Sequence, residues 1–462
     1  MIRIEVKNVS HRIEHDSMGQ IEVPSGALYG AQTQRAIQNF NFSGRAMPNT
    51  FIQRLALIKA AAALTNQSIG SLSSDKASAI VKHALRIAEG EFMEHFPLDV
   101  FQTGSGTSTN MNMNEVLATL SGEGVHPIDD VNQSQSSNDV IPTCIQVSVA
   151  LELEQTLIPA IRGVQENAGR QGRALASVVK TGRTHLMDAM PVTFQQELDT
   201  WAFQFGECVD RLESVMARLR ALPLGGTAVG TGVNCHPDFP QRAIAEISRL
   251  TNSEFFVAEN KMSRMAAQDV SVECSAGLRS LAIVLMKVSN DLRWMSSGPL
   301  AGLSEIELTA LQPGSSIMPG KVNPVVPEAV CMIAAEVIGS DVTVGVAGQS
   351  GNFQLNVMLP LIADKLLTNI ALCTRACDAL GDTVADFKVN KTNIEHSLQR
   401  NPILVTALNS KIGYEAAAAI AKQAYSEGRS IIDIAEEATD LSRSELAVLL
   451  DPANLTHPEK TD

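Results

Sequence analysis

The stretch Leu355–Leu380, LNVMLPLIADKLLTNIALCTRACDAL, places Leu355, Leu359, Ile362, Leu366, Ile370, Cys373, Cys377 and Leu380 in steps of three and four. That spacing lines up one apolar stripe along an α-helix. A second stretch repeats it through Val270, Cys274, Leu278, Leu281, Leu285, Val288 and Leu292. Helical patterning also covers about 140–170, where Pro159 is expected to kink or restart the helix, and about 191–222. Helices of roughly 25–30 residues are about 40 Å long. The pattern therefore predicts a mainly α protein built on a long-helix bundle. Stripes on more than one face point to burial of the extra faces in an oligomer, with a large monomeric helical domain as the alternative.

Composition agrees with this. The chain has 462 residues, 45% of them hydrophobic but only 4% aromatic, so small and branched aliphatics fill the core. The length predicts two or three domains. We read an N-terminal domain over 1–138, a central helical domain over 139–395 and a small C-terminal domain over 396–462. A net charge of −14 without a Lys/Arg cluster argues against a nucleic-acid partner. It does not argue against a small anion, because the field of a site is local. Seven scattered cysteines with no CxxC pair read as reduced, buried thiols of a cytoplasmic protein. Histidines and carboxylates do not cluster at ligand spacing, so no metal and no cofactor are expected. Residues 1–16 mix acids and bases and read as neither signal nor transit peptide. No uninterrupted apolar run approaches about 18 residues, so no membrane span is expected.

Polar loops separate the helices, and the densest is GSSIMPGKVNP, residues 314–324. Its glycines let backbone N–H groups face a ligand, and its prolines prevent helix or strand. Lys321 and Asn323 add a charge and an amide, giving a loop suited to a small anion and a reactive serine. A phosphate-binding P-loop is excluded: five residues separate Gly314 from Gly320, and Val322 follows Lys321 where a hydroxyl residue is required. The G-x-S-x-G elbow of serine hydrolases is absent as well.

Other loops offer complementary groups. In Gln102–Asn110, Ser105, Gly106 and Thr107 precede a helical segment, an arrangement equally suited to a carboxylate and to ordinary capping. Ser136, Ser137 and Asn138 form a cluster of neutral donors, for which helix capping by Ser137 or Asp139 is the competing reading. Thr184 and His185 sit in a Gly-turned polar segment, where an imidazole is suited to activating water. Glu328, just after the long loop, is placed to orient it.

These residues resemble the fumarase/aspartase superfamily, and in particular class II, iron-independent fumarate hydratases. The motifs carrying the likeness run in order along almost the whole chain. They are RIEHDSMG from Arg12, YGAQTQ from Tyr29, FQTGSGTSTNMNMNEV from Phe101, HPIDDVNQSQSSNDV from His126, GRTHLMDA from Gly182, LGGTAVGTGVN from Leu224, GSSIMPGKVNP, and Ile412–Tyr414. Thr184-His185 and the TGSGTS run at 103–108 favour hydratase over an aspartate ammonia-lyase-like C–N lyase, the alternative.

The resemblance implies a three-domain fold whose central helices form a multi-helix core in a homotetramer, with each site shared between subunits. It implies a tricarboxylic-acid-cycle reaction, reversible anti addition of water to fumarate giving L-malate through an aci-carboxylate. Ser315 would be the carbon base, His185 with Glu328 would handle water, and Lys321 would stabilise charge. Ser105, Gly106, Thr107, Ser136, Ser137, Asn138, Thr184, Ser316, Lys321, Val322 and Asn323 would hold the dicarboxylate. A second dicarboxylate site is implied at His126, Pro127, Ile128 and Asp129, but Ile128 replaces the family's usual asparagine and removes its hydrogen bonds. Phe194-Gln195 stands where Leu-Gly is commoner, with no mechanistic reading from sequence.

Overall fold

The computed structural model describes residues 10–457; the parts of the terminal readings that fall on 1–9 and 458–462 lie outside the described residues. The expected helices are present. The two striped segments form Asp269–Met295 and Leu359–Asp386, with the stripe residues of both buried except Leu355, which lies in a short strand before the second helix. The third is Ser137–Glu152 followed by Ile158–Ala174, joined through a wide π-type turn at Leu153–Leu157. Pro159 has no N–H to donate backwards, and the widened turn comes just before it. The fourth starts later than expected, at Phe194, because 187–193 are a strand of a hairpin. A fifth long helix, Val325–Gln349, follows the GSSIMPGKVNP loop.

By compactness the chain forms two units. One comprises the chain up to Pro159, Asp210–Ala282 and Ala335–Thr374. Its hub is Asn49–Ser68, which packs against Ser74–Ala88, Ser137–Glu152 and Phe239–Thr251. The buried run Ala60–Ala63 suits this role, since small side chains let several helices approach one. Buried Glu115 accepts N–H bonds from Gly30, Gln32 and Thr33 at 2.9–3.1 Å and so caps Ala31–Asn39. A Cβ on Gly30 would lie 3.1 Å from that carboxylate.

The other unit comprises Ala160–Val209, Ile283–Ala334 and the chain from Arg375 onward. Its hairpin pairs Val179–Thr184 with Met187–Thr193. The C-terminal helices close a small core of their own around Leu408, Ile420, Ile434 and Leu446. They hold the hairpin through Asn401 Nδ2 to Ala189 O (3.0 Å), and Gln196 Nε2 reaches Thr456 O (2.7 Å).

No disulfide links the seven cysteines; five are buried, whereas Cys235 and Cys331 are partly exposed, against the expectation that all would be buried. Among the described residues two helical stretches, Ser137–Ala174 and Val325–Gln349, are long and apolar enough by length and composition to cross a bilayer. An average over 18 residues tolerates the polar residues that interrupt an unbroken run. About two thirds of the first stretch's most apolar window is buried, but only a third of the second's.

Candidate active site

In the first unit, the two neutral-donor loops come together. Ser105 Oγ and Thr107 Oγ1 lie 2.8 Å apart at the start of Thr107–Ser121. Gly106 has φ 73°, and a Cβ there would come within 2.9 Å of Ile141 on the helix that follows the second loop. Asn110 Nδ2 reaches Ser137 Oγ at 3.0 Å, and Asn138 Nδ2 reaches Ala228 O at 2.8 Å, which adds the 225–232 loop. Gly104 is pressed against Val357, where a Cβ would collide with the carbonyl, and its own carbonyl accepts the Leu359 N–H at 3.0 Å.

Capping uses part of this donor set. Gln102 Oε1 takes the Thr109 N–H (3.0 Å), so the helix start is less open than its sequence suggested. Ser136 and Asp139 form a capping box, Ser136 Oγ accepting from Asn138 N (3.2 Å) and Asp139 Oδ1 from Ser136 N (2.9 Å). Ser137 is buried and already bonded to Asn110, which leaves its hydroxyl proton to donate.

In the second unit, Thr184 pairs with Met187 across a two-residue turn made of His185 and Leu186. Their φ values of 56° and 60° are left-handed at non-glycine residues, which costs on the order of 1 kcal/mol or more each. Thr184 and His185 are exposed. The strand beneath is anchored by charge. Lys180 Nζ lies 2.6 Å from Glu197 Oε2 and 3.0 Å from Glu305 Oε2, and Arg183 lies 2.5 Å from Glu305 Oε1. The Lys180–Glu305 contact is an ion pair whose angle is too poor for a hydrogen bond. Burial works against the Arg183 charge, but Glu305 outweighs it and raises the guanidinium pKa. Phe194 acquires a role here: its ring lies 4.8 Å beneath the Lys180 ammonium.

The 314–324 loop closes on itself. Gly314 N donates to Lys321 O (2.8 Å), and Asn323 Nδ2 donates to Gly314 O (2.8 Å). A Cβ at Gly314 would sit 2.3 Å from Lys321 O, so only glycine fits. Ser315 Oγ accepts N–H bonds from Ile317 (3.2 Å) and Met318 (3.1 Å), a pair of dipoles suited to a developing negative charge. The loop curls around an open cavity of about 410 Å³ lined by residues including Ser315, Lys321 and Val322. Ser316, Lys321 and Val322 are exposed, and Asn323 lines a neighbouring cavity of about 310 Å³. Glu328 lies in the first turn of Val325–Gln349, where a helix favours a carboxylate. Among the described residues, His185 and Glu328 of one chain are not hydrogen-bonded to each other.

Comparison with known proteins places the chain in a family. A family model described as lyase matches residues 19–339, and one described as the fumarase C C-terminus matches 404–457. Over 450 residues the chain is 55% identical to fumarate hydratase class II 2 of Pseudomonas aeruginosa, covering 96% of this chain and 98% of that one. The chain belongs to the class II fumarate hydratase family. A Mycobacterium tuberculosis member is 46% identical over 93% of this chain and 91% of its own. The crystal structure of a class II fumarase from Schistosoma mansoni superposes with a TM-score of 0.94 at 36% identity, covering 98% of this chain and all of that one. The family's C-terminal model falls on the small C-terminal core that braces the hairpin.

At the segment 126–130, His126 Nδ1 accepts from Asp129 N (3.1 Å), and His126 N donates to Asp130 Oδ2 (2.7 Å). Asp130 is also paired with Lys76 at 2.7 Å. Ile128 is exposed.

Sequence reading missed three features of the site: Glu115, the Lys180–Arg183–Glu305 anchor, and a buried cluster beneath the 134–138 loop. There Lys59 Nζ donates to Asn132 Oδ1 and Gln135 Oε1, both at 3.0 Å. One signal was available, a lysine inside the apolar run LALIKAAAAL at 55–64.

Proposed function

We propose that this protein hydrates fumarate reversibly to L-malate. The observation that carries the reading is Ser315, whose oxygen accepts two backbone N–H bonds beside a cavity also lined by Lys321. Written from malate, Ser315 as alkoxide takes the proton from the carbon beside a carboxylate. The electron pair moves into that carboxylate, forming the aci-carboxylate, and Lys321 offsets its added charge. Preorganised donors of this kind each contribute about 3 kcal/mol to lowering a barrier. The C–O bond on the opposite face then breaks, and the hydroxyl leaves as water with a proton from His185, whose imidazole Glu328 orients. The steps as written use side chains alone, with no metal or cofactor. Ser105, Gly106, Thr107, Ser136, Ser137, Asn138, Thr184, Ser316, Val322 and Asn323 hold the dicarboxylate, with one Asn323 N–H retained in the loop.

The protein acts as a cytoplasmic homotetramer, without a nucleic-acid or membrane partner, in which His185 and Glu328 of one site come from different subunits. The absence of a bond between them within one chain supports this. So does the helix Val325–Gln349, which leaves Met332, Val342 and Val346 exposed. The 1–138, 139–395 and 396–462 domains belong to the same reading. The second dicarboxylate site does not operate, because the Asp129 and His126 N–H groups are already bonded and Ile128 presents an apolar side chain.

The test is ultraviolet absorbance of fumarate mixed with the purified protein in amine-free buffer. Loss of absorbance with L-malate as product is expected. Loss only when ammonium is added assigns a C–N lyase instead.

A further inference from the structure

Asp139 is fully buried, next to residues assigned to substrate, and has no part in the chemistry written above. Each of its carboxylate oxygens holds a different loop. Oδ1 accepts from Ser136 N at 2.9 Å. Oδ2 accepts from Gly225 N at 2.9 Å and Thr227 N at 2.8 Å.

The second loop is under strain. Thr227 has φ 53°, unusual for a β-branched residue, and its hydroxyl is buried without a partner. Gly225 has φ 87°, and a Cβ there would lie 2.4 Å from Pro240. Such a conformation persists only where neighbouring groups over-determine it. The two N–H bonds to Asp139 do so, and the loop's next residue then offers its carbonyl, Ala228 O, to Asn138 Nδ2 at 2.8 Å. From α-helical residues 49–68, the Lys59 Nζ lies beneath the 134–138 loop, bonded to Asn132 and Gln135.

We propose that Asp139 is a positioning residue for dicarboxylate binding: it sets Ser136 directly and the Asn138 amide through the Gly225–Ala228 loop. This rests on the hydratase reading and on the assignment of Ser136 and Asn138 to substrate. Raised by burial to a pKa of about 6, and lowered in part by its three N–H bonds, the carboxylate is ionised at neutral pH and is the stronger acceptor for it.

Asp139→Asn tests it, since the shape is kept while an NH₂ group must face N–H donors. In folded, purified variant we expect KM for fumarate to rise about tenfold and kcat to change by less than about threefold, the signature of lost ground-state and transition-state binding alike. A merely structural Asp139 would lower the yield or the melting temperature and leave both constants of the folded fraction unchanged, which overturns the proposal. Should the variant not fold, hydrogen exchange on the unaltered protein decides. Adding L-malate is expected to protect 134–138 and 225–228 together, and protection of 134–138 alone overturns the clasp. Absence of fumarate turnover in the unaltered protein removes the hydratase reading itself, and this inference with it.

Discussion

The loops of the first unit and those of the second are built in opposite ways. Ser105, Ser137 and Asn138 sit on neutral donors tied to one another and backed by buried ionisable residues, Lys59 and Asp139. His185 and Lys321 stand exposed, His185 on a strained turn and Lys321 in a self-closed loop. Groups that only bind gain from being fixed before the ligand arrives, because ordering then costs nothing at binding. Groups proposed to act on the reacting atoms, His185 on a proton and Lys321 on developing charge, must reach them, and turns and loops held by a rigid base allow this. Lys180, Arg183 and Glu305 form that base under His185.

Breaking the chemical side should have the largest effect. Ser315→Ala is expected to lower kcat by about 10³-fold or more, with L-malate binding retained. Stopped turnover with unchanged affinity by calorimetry confirms the division of labour, and surviving turnover moves the base elsewhere. Next is the base of the hairpin. Glu305→Gln leaves Lys180 and Arg183 short of a counter-charge in a buried setting and should cost roughly 3 kcal/mol of stability. Denaturant unfolding reads this, and an unchanged midpoint shows that Glu197 alone suffices.

On the binding side, burial lowers the Lys59 pKa from its ordinary 10.5 to about 7. Between those values the unfolded chain binds more protons, so this residue makes stability rise with pH and penalises the fold below about 7. The groups facing it are Asp139, at about 6, and Cys144, whose thiol burial pushes far up. From pH 7 to 8.5 the Cys144 thiol stays neutral and Asp139 is already largely ionised in the folded protein. Lys59→Met should therefore flatten the rise of melting temperature over that range, and an identical slope in both proteins refutes the assignment. The smallest effect is expected at Ile128→Asn, within about 0.5 kcal/mol of the parent in stability because the side chain is exposed. L-malate soaked into crystals of the parent should leave this region empty, and an ordered ligand there contradicts the reading of the bonded N–H groups.

Much of this was legible without coordinates. Steps of three and four located the long helices, because burial of one face is a local pattern. The 314–324 loop could be read as an anion cradle from its glycines, prolines and Lys321, and the ordered motifs were enough to point to the family. Boundaries were less legible: 191–193 read as the start of a helix and proved to end the strand Met187–Thr193, since its pairing with 179–184 is not written in either segment alone.

The sequence by itself therefore determined the helical architecture and the family, both of which depend on side-chain type and short-range spacing. Only the tertiary structure decided what holds the polar loops. Asp139 gathers N–H groups from residues 136, 225 and 227, Glu115 from residues 30, 32 and 33, and Glu305 pairs with Lys180 and Arg183. The reason is physical: a buried carboxylate must find donors wherever the fold brings backbone or cations to it, and no local periodicity records which distant segment that will be.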